Sequence, residues 1–207
     1  GIHEIAIVVN HAYLERVEDM VRQYKWSKVK RVLNGGSERY ESSQSAIGAY
    51  KNEPDVNLIF HDAVRPLVSV QTIDRVIDAL RTHEAVDTVI PSSDTIVQVD
   101  DSGEFIQAIP DRRRLRRGQT PQAFRFEVIE QAYKLASLSS DVSFSDDCGV
   151  VNQFLPDVKI KVVMGEEANM KLTHPEDIYL LEKLFQVKTS VPLESDQLSS
   201  LEGKVGV

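Results

Sequence analysis

Val56–Pro66 reads VNLIFHDAVRP, and this stretch decides the fold. Val56–Phe60 is a nearly unbroken apolar run, the composition of a strand covered on both faces. Its carboxyl end passes at once into His61-Asp62-Ala63-Val64-Arg65-Pro66. Open parallel sheets bind ligands beyond the carboxyl ends of their strands, so charged residues at such a mouth mark a place for chemistry. On either side, strand and helix patterns alternate. Glu4–Asn10 (EIAIVVN), Val29–Leu33, Asp87–Ile90 and Val158–Val163 read as strands. Ala12–Tyr24, Glu38–Tyr50, Thr72–His83, Phe126–Ala136, Ser145–Asn152 and Pro175–Phe185 read as helices. In Thr72–His83 the apolar residues Ile73, Val76, Ile77 and Leu80 fall on one helical face. Ser145 is the expected cap of its helix, and Pro175 suits a first helical position. The rhythm predicts an α/β fold with a mostly parallel, Rossmann-like sheet and helices on both faces.

The rhythm breaks once. Thr95–Val99 and Phe105–Ile109 flank Asp100-Asp101-Ser102-Gly103, a turn composition that predicts a β-hairpin. The hairpin falls outside the α/β alternation, so a protruding arm over about residues 94–112 is expected.

The chain has 207 residues, 42% hydrophobic and 27% charged, which excludes wholesale disorder. A chain of this size buries roughly 70% of its unfolded surface and needs no disulfide or structural metal. Cys148 is the single cysteine, so no internal disulfide forms, and a reducing, cytoplasmic setting is expected. No apolar run approaches the roughly 20 residues of a membrane span. The formal charge of −8 opposes general nucleic-acid binding. The chain begins at Gly1 and enters a strand almost immediately, and it closes with a polar stretch, SVPLESDQLSS, before LEGKVGV. The expectation is a piece of a longer protein: a domain over residues 1–188, a linker over 189–200, and over 201–207 either a frayed tail or the opening of another domain.

Five segments can carry chemistry. In the first, Gly35 and Gly36 let backbone approach a ligand, and the helix that follows offers free N–H groups. The plainer reading is a glycine turn before a capped helix. In the second, Asp62 at a strand mouth can hold Mg²⁺, and Arg65 can grip a phosphate bidentately. Alternatively the two form an ion pair that fixes the loop, and His61 is a hydrogen-bonded structural histidine. The third is Arg112–Arg117, with five arginines in six positions. It is a solvated face, an anchor for a neighbouring subunit or a phosphate grip; RNA binding lacks an interleaved aromatic platform. The fourth, Gln119-Thr120-Pro121-Gln122-Ala123-Phe124, projects Thr120 from a pre-proline position, or is a plain turn. The fifth is Asn169-Met170-Lys171-Leu172-Thr173, whose lysine by itself reads as a surface residue.

Taken together and in order, HDAVRP, QTPQAF and NMKLTHPED, with GGSER in support, resemble the cytidylyltransferases that join CTP to a polyol phosphate. The resemblance runs from Ile2 to Phe185. IPDRRRLRRGQTPQAF looks most like the branch that uses ribitol 5-phosphate, and LEGKV resembles the opening strand of the short-chain reductases fused to some of those enzymes. The resemblance implies a nucleotidyltransferase making CDP-ribitol and pyrophosphate for cell-surface polysaccharide or teichoic acid. Its nearest alternative is the same transfer to methylerythritol phosphate in isoprenoid synthesis. A further alternative is a fragment that only binds nucleotide or dimerises.

The implied roles follow the matched positions. Gly36, Ser37 and Ser42 would recognise cytidine, with Ala63 a further nucleotide contact. Asp62 would hold Mg²⁺ and nucleotide. Arg65 and Arg112 would grip the polyol phosphate beside Thr95 and Thr120. Lys171 would meet the triphosphate and the substrate phosphate, and Lys171 and Arg112 would be the catalytic cations. In the family one subunit's arm covers the other's site, which implies a homodimer with Thr95 and Arg112 acting in trans. Two family features have no counterpart here: the Gly-rich loop after a first strand, with its Arg and Lys, and the acid before the Asn-x-Lys motif. That last position is Ala168, with Glu167 one place off.

Overall fold

The computed structural model describes residues 1–139, 144 and 146–190, with side chains to 187. The expected Ser145 cap, most of the linker and the residues 201–207 lie outside these. The elements in chain order are β1 (Ile5–Val9), α1 (Leu14–Tyr24), β2 (Val29–Asn34), α2 (Arg39–Ala49), β3 (Asn57–Phe60), α3 (Val70–Leu80), β4 (Ala85–Pro91), β5 (Gln98–Val99), β6 (Ile106–Ala108), β7 (Arg116–Gly118), β8 (Gln122–Arg125), α4 (Phe126–Ala136), α5 (Asp147–Phe154), β9 (Ile160–Met164) and α6 (Pro175–Ser190). Short 3₁₀ turns lie at His11–Tyr13 and Arg112–Arg114. The last helix runs past Phe185 into the stretch expected as linker. Among the described residues, no helix is long and apolar enough to cross a membrane.

Local chemistry sets the helix starts. Glu38 and Glu41 form a reciprocal capping box at α2. Ser69 accepts from the Thr72 N–H at α3, and Asp146 accepts from the Gly149 N–H at 2.7 Å at α5. Asp146 thus does the capping expected of its neighbour.

The sheet corrects the expectation of a mostly parallel arrangement. β1 and β2 pair in parallel as a two-stranded sheet. In the five-stranded sheet, β8 lies between β3 and β4 and is antiparallel to both. β7 continues along the same edge of β4, also antiparallel, and β9 pairs parallel with the other edge. The direction follows from the chain path. β4 ends at Pro91, the hairpin β5–β6 follows as a sheet of its own, and the chain returns from the carboxyl end of β4. Re-entry from that end forces the opposite strand direction. β7 and β8 carry no apolar run, so periodicity gave no strand there.

Helices do cover both faces. Ala85, Phe124 and Leu58 pack with α2, α4 and α5, while Val86 and Ala123 pack with Val76 and Leu80 of α3. The alternation along β4 and β8 sends successive residues to opposite faces. Phe124 and Ile129 are fully buried, each such side chain contributing about 1.5–3 kcal/mol. The hairpin segment is different: residues 93–99 and 101–109 are all exposed.

β8 also buries a polar residue. Gln122 is 1% exposed, and its Nε2 donates to Asp87 Oδ1 at 2.9 Å and Asp146 Oδ2 at 3.0 Å. Burial pushes the Asp87 carboxyl up from 3.8 to about 6, only partly offset by the Gln122 hydrogen bond. The native state therefore holds a proton that the unfolded chain releases. The associated stability is full below about pH 4 and is lost as pH rises through about 6, amounting to about 3 kcal/mol. Asp87→Asn should flatten this part of the stability profile, as read by urea unfolding between pH 4 and 7.

Candidate active site

The site is built around the carboxyl end of β3. Asp62 follows the strand by two residues, and its N–H donates to the Thr120 Oγ1 at 3.0 Å. Thr120 lies 3.0 Å from His61 Nδ1, and His61 Nε2 lies 3.0 Å from the Arg65 carbonyl. The partners fix the roles: the Thr120 hydroxyl donates to Nδ1, and Nε2–H donates to the carbonyl. His61 is thus a neutral structural histidine, and burial holds its pKa below the ordinary value. Thr120 belongs to the site, but it serves the Asp62 loop from below.

Three cations from three segments meet the Asp62 carboxylate. Arg39 Nε stands 3.4 Å from Oδ1. Lys171 Nζ stands 3.3 Å and Arg65 Nε 3.5 Å from Oδ2. Burial pushes the Asp62 carboxyl up, but Lys171, Arg39 and Arg65 together outweigh it and hold it below the usual carboxylate range. Positive charge is in excess here, in a chain of net −8. A polyanion such as a triphosphate fits that imbalance.

Each cation is held from behind. Arg39 opens α2, and its Nη2 reaches the fully buried Asp147 at 2.8 Å. Arg65 Nη1 donates to the Asn169 carbonyl at 2.8 Å. Lys171 rides on a loop stitched to the sheet. Asn169 Nδ2 donates to the Thr120 carbonyl at 2.7 Å, Gln119 Nε2 to the Glu166 carbonyl at 2.9 Å, and Leu172 N–H to the Val64 carbonyl at 2.9 Å. The loop can approach this closely only because residue 165 is glycine: a Cβ there would lie 2.3 Å from Gln119 Oε1.

The glycine loop forms the adjoining wall. A Cβ on Gly36 would lie 2.1 Å from the Glu41 Cβ, and one on Gly35 2.8 Å from the Ser42 Oγ. Ser37 N–H and Oγ–H both donate to Glu41 Oε2, at 2.6 and 2.8 Å. Gly36 and Ser37 thus pack on Glu41, Ser42 faces Gly35 from the first turn of α2, and Arg39 of that turn pairs with Asp62. Ala63 is exposed at the start of the turn closed by Arg65 N–H to the Asp62 carbonyl at 2.9 Å. Thr95 and Arg112 stand apart. Both are exposed, and Arg112 Nη1 donates to the Ser93 carbonyl at 3.3 Å. Among the described residues, no ion pair or hydrogen bond joins either to the Asp62 group.

Glu167 is engaged by Arg117 through both carboxylate oxygens, at 2.6 and 2.8 Å. No cluster of three or more His, Cys, Asp and Glu side chains that could hold a metal occurs among the described residues. Asp62 therefore offers one anionic carboxylate at the sheet's rim. That fits Mg²⁺ arriving with phosphate oxygens, its usual manner of binding, and does not fit an all-protein cage.

Arg39 and Asn169 lie inside the GGSER and NMKLTHPED segments but carried no expected role of their own, and Asp147 was not singled out from sequence. Arg39 had one visible signal, its place in the first turn after a glycine loop. Asp147 had none, because its partners come from distant segments.

The family described as IspD, 2-C-methyl-D-erythritol 4-phosphate cytidylyltransferase, matches residues 1–186. The 2-C-methyl-D-erythritol 4-phosphate cytidylyltransferase of Thermobifida fusca is 44% identical, over 89% of this chain and 76% of that protein. The bifunctional ribulose 5-phosphate reductase/CDP-ribitol pyrophosphorylase Bcs1 of Haemophilus influenzae is 39% identical over 99% of this chain and 44% of that protein. The crystal structure of 4-diphosphocytidyl-2C-methyl-D-erythritol synthase from Anaerococcus prevotii superposes with a TM-score of 0.79 at 30% identity, over 89% of this chain and 79% of that one. The motifs at the strand mouths, the fold and these matches agree, and the chain belongs to the IspD family of cytidylyltransferases.

Proposed function

We propose that this chain transfers the cytidylyl group of CTP to ribitol 5-phosphate, giving CDP-ribitol and pyrophosphate. The carrying observation is the meeting of Arg39, Arg65 and Lys171 on Asp62 at the sheet's rim. Phosphoryl chemistry is mostly positioning and charge neutralisation, and this group supplies both. For the acceptor, support comes from the match to the CDP-ribitol enzyme of Haemophilus influenzae, which extends over 99% of the chain. A second reading, methylerythritol phosphate as acceptor, is favoured by the 44% identity to the Thermobifida fusca enzyme.

In the proposed reaction an oxygen of the polyol phosphate attacks the α-phosphorus of CTP. A new P–O bond forms as the α–β bridging bond breaks, and pyrophosphate departs with the electron pair. Mg²⁺ held on Asp62 would supply neutralisation of the phosphate charge. Lys171, half exposed, offsets charge growing on the phosphorus. Arg65 spends one N–H on Asp62 and one on the Asn169 carbonyl, so about three of its five donors remain for the acceptor phosphate. Gly36, Ser37 and Ser42 form the wall against which the cytosine would lie. Thr95 and Arg112 complete the site of a second subunit in a homodimer. Ile96, Val97, Val99, Phe105, Ile106 and Ile109 leave the arm strongly apolar and exposed, as a surface that another copy would cover.

Pyrophosphate release with CTP and a panel of polyol phosphates should be fastest with ribitol 5-phosphate; preference for methylerythritol phosphate selects the second reading. Asp62→Asn or Lys171→Ala should each lower kcat/KM by about 30- to several-thousand-fold, or roughly 2–5 kcal/mol. Near-normal turnover in both variants would end this assignment. Arg112→Ala and Lys171→Ala, each inactive alone, should regain about a quarter of wild-type activity when mixed, since half the dimers then carry one intact site. A residue acting within its own subunit gives no recovery.

A further inference from the structure

The pair behind Arg39 has no role in the scheme above. Asp147 is 0% exposed at the start of α5. Its Oδ1 accepts from the Tyr133 hydroxyl at 2.6 Å, and its Oδ2 faces Arg39 Nη2 at 2.8 Å. Tyr133 is itself buried and stacks on Tyr40, which follows Arg39 in α2, with ring centroids 4.9 Å apart. A buried ion pair seldom stabilises a fold more than apolar packing of the same volume does. What it can supply is placement. The guanidinium is a planar fork with donors at fixed angles. Nη2 pairs with the buried carboxylate at 2.8 Å while Nε donates to Asp62 Oδ1 at 3.4 Å, so one guanidinium links the two carboxylates. Lys171 and Arg65 lie on the other oxygen, so Arg39 alone addresses Oδ1 among these cations.

We propose that Arg39, seated on buried Asp147 with Tyr133 behind it, is a positioning residue that fixes the orientation of the Asp62 carboxylate toward the Mg²⁺–nucleotide complex. This rests on the proposed role of Asp62 in holding Mg²⁺. The chain Tyr133–Asp147–Arg39–Asp62 carries orientation from the α4–α5 packing to the rim of the sheet. Positioning partners of metal ligands typically matter by about 10- to 100-fold in metal affinity.

The test is calorimetric titration of the full chain with CTP, with and without Mg²⁺, beside thermal melts. In the wild type Mg²⁺ should tighten CTP binding, and Asp62→Asn should abolish that gain. Arg39→Gln, and Arg39→Gln/Asp147→Asn, should each cut the Mg²⁺-dependent gain by roughly tenfold. The quantity read is the ratio of CTP affinities with and without Mg²⁺, so a loss of metal-free affinity from removing one cation of the site cancels out of it. The double variant leaves no buried lone charge, so it keeps the test informative if a single variant folds poorly. Asp147→Asn should act in the same direction as Arg39→Gln. Arg39→Lys should not restore the gain, because a point charge cannot serve both carboxylates with fork geometry. An unchanged Mg²⁺ gain in the Arg39 variants, with Asp62→Asn abolishing it, overturns the positioning role alone. Full rescue by Arg39→Lys, or a loss confined to metal-free binding, also overturns it. A wild type without any Mg²⁺ gain, or Asp62→Asn retaining it, overturns the metal role of Asp62 and this inference with it.

Discussion

The architecture turns on keeping one aspartate ionised at the edge of a sheet. Desolvation works against the Asp62 charge, and contact with cations from the α2 start, its own loop and the loop after β9 more than offsets it. No single segment could do this. The cations repel one another, so each needs its own anchor, and those anchors account for much of the local structure. Arg39 has Asp147, Arg65 has the Asn169 carbonyl, and Lys171 has a loop fastened to Gln119 and Thr120. The arrangement stores a surplus of positive potential where the carboxyl ends of strands open to solvent. Preorganised charge of this kind needs no rearrangement when an anion arrives.

β8 makes that convergence possible. It wedges between β3 and β4 and brings Thr120 beneath the Asp62 loop and Gln119 beneath the Lys171 loop. A wholly parallel sheet would not deliver both residues by one short return from the hairpin. Buried Gln122 in the same strand bridges two partly exposed carboxylates, so polar contacts also tie β8 to β4 and to the start of α5.

Much of this was legible in the sequence. The expected helix Phe126–Ala136 matches α4 to the residue and the other expected helices overlap theirs; in Thr72–His83 the apolar spacing that marked the helix is the face α3 buries. Asp62, Arg65 and Lys171 were legible through their places after strands and the motif set. β7 and β8 were not, because Arg116, Arg117 and Gln122 satisfy strand hydrogen bonding without any apolar pattern. Asp147 was hidden for a related reason: an aspartate in a helix's first turn reads as an ordinary dipole partner. Its burial against Tyr133 and Arg39 exists only once distant segments meet. The hairpin turn was visible from Asp100-Asp101-Ser102-Gly103, yet its strands are shorter than the sequence implied.

The way the Lys171 loop is fastened bears on how such an enzyme diversifies. Its anchors are main-chain carbonyls, the Asn169 amide, the bare α-carbon of Gly165 and the Glu166 and Glu167 carboxylates, held by Arg75 and Arg117; the side chains of Ala168 and Met170 donate no strong hydrogen bond. Drift at 168 and 170 therefore leaves these contacts intact, and the lysine stays in register. Drift at 165 or 169 would move the lysine itself. Positions that hold the loop are thus separate from positions free to vary, so the rim can change in composition without displacing its cation.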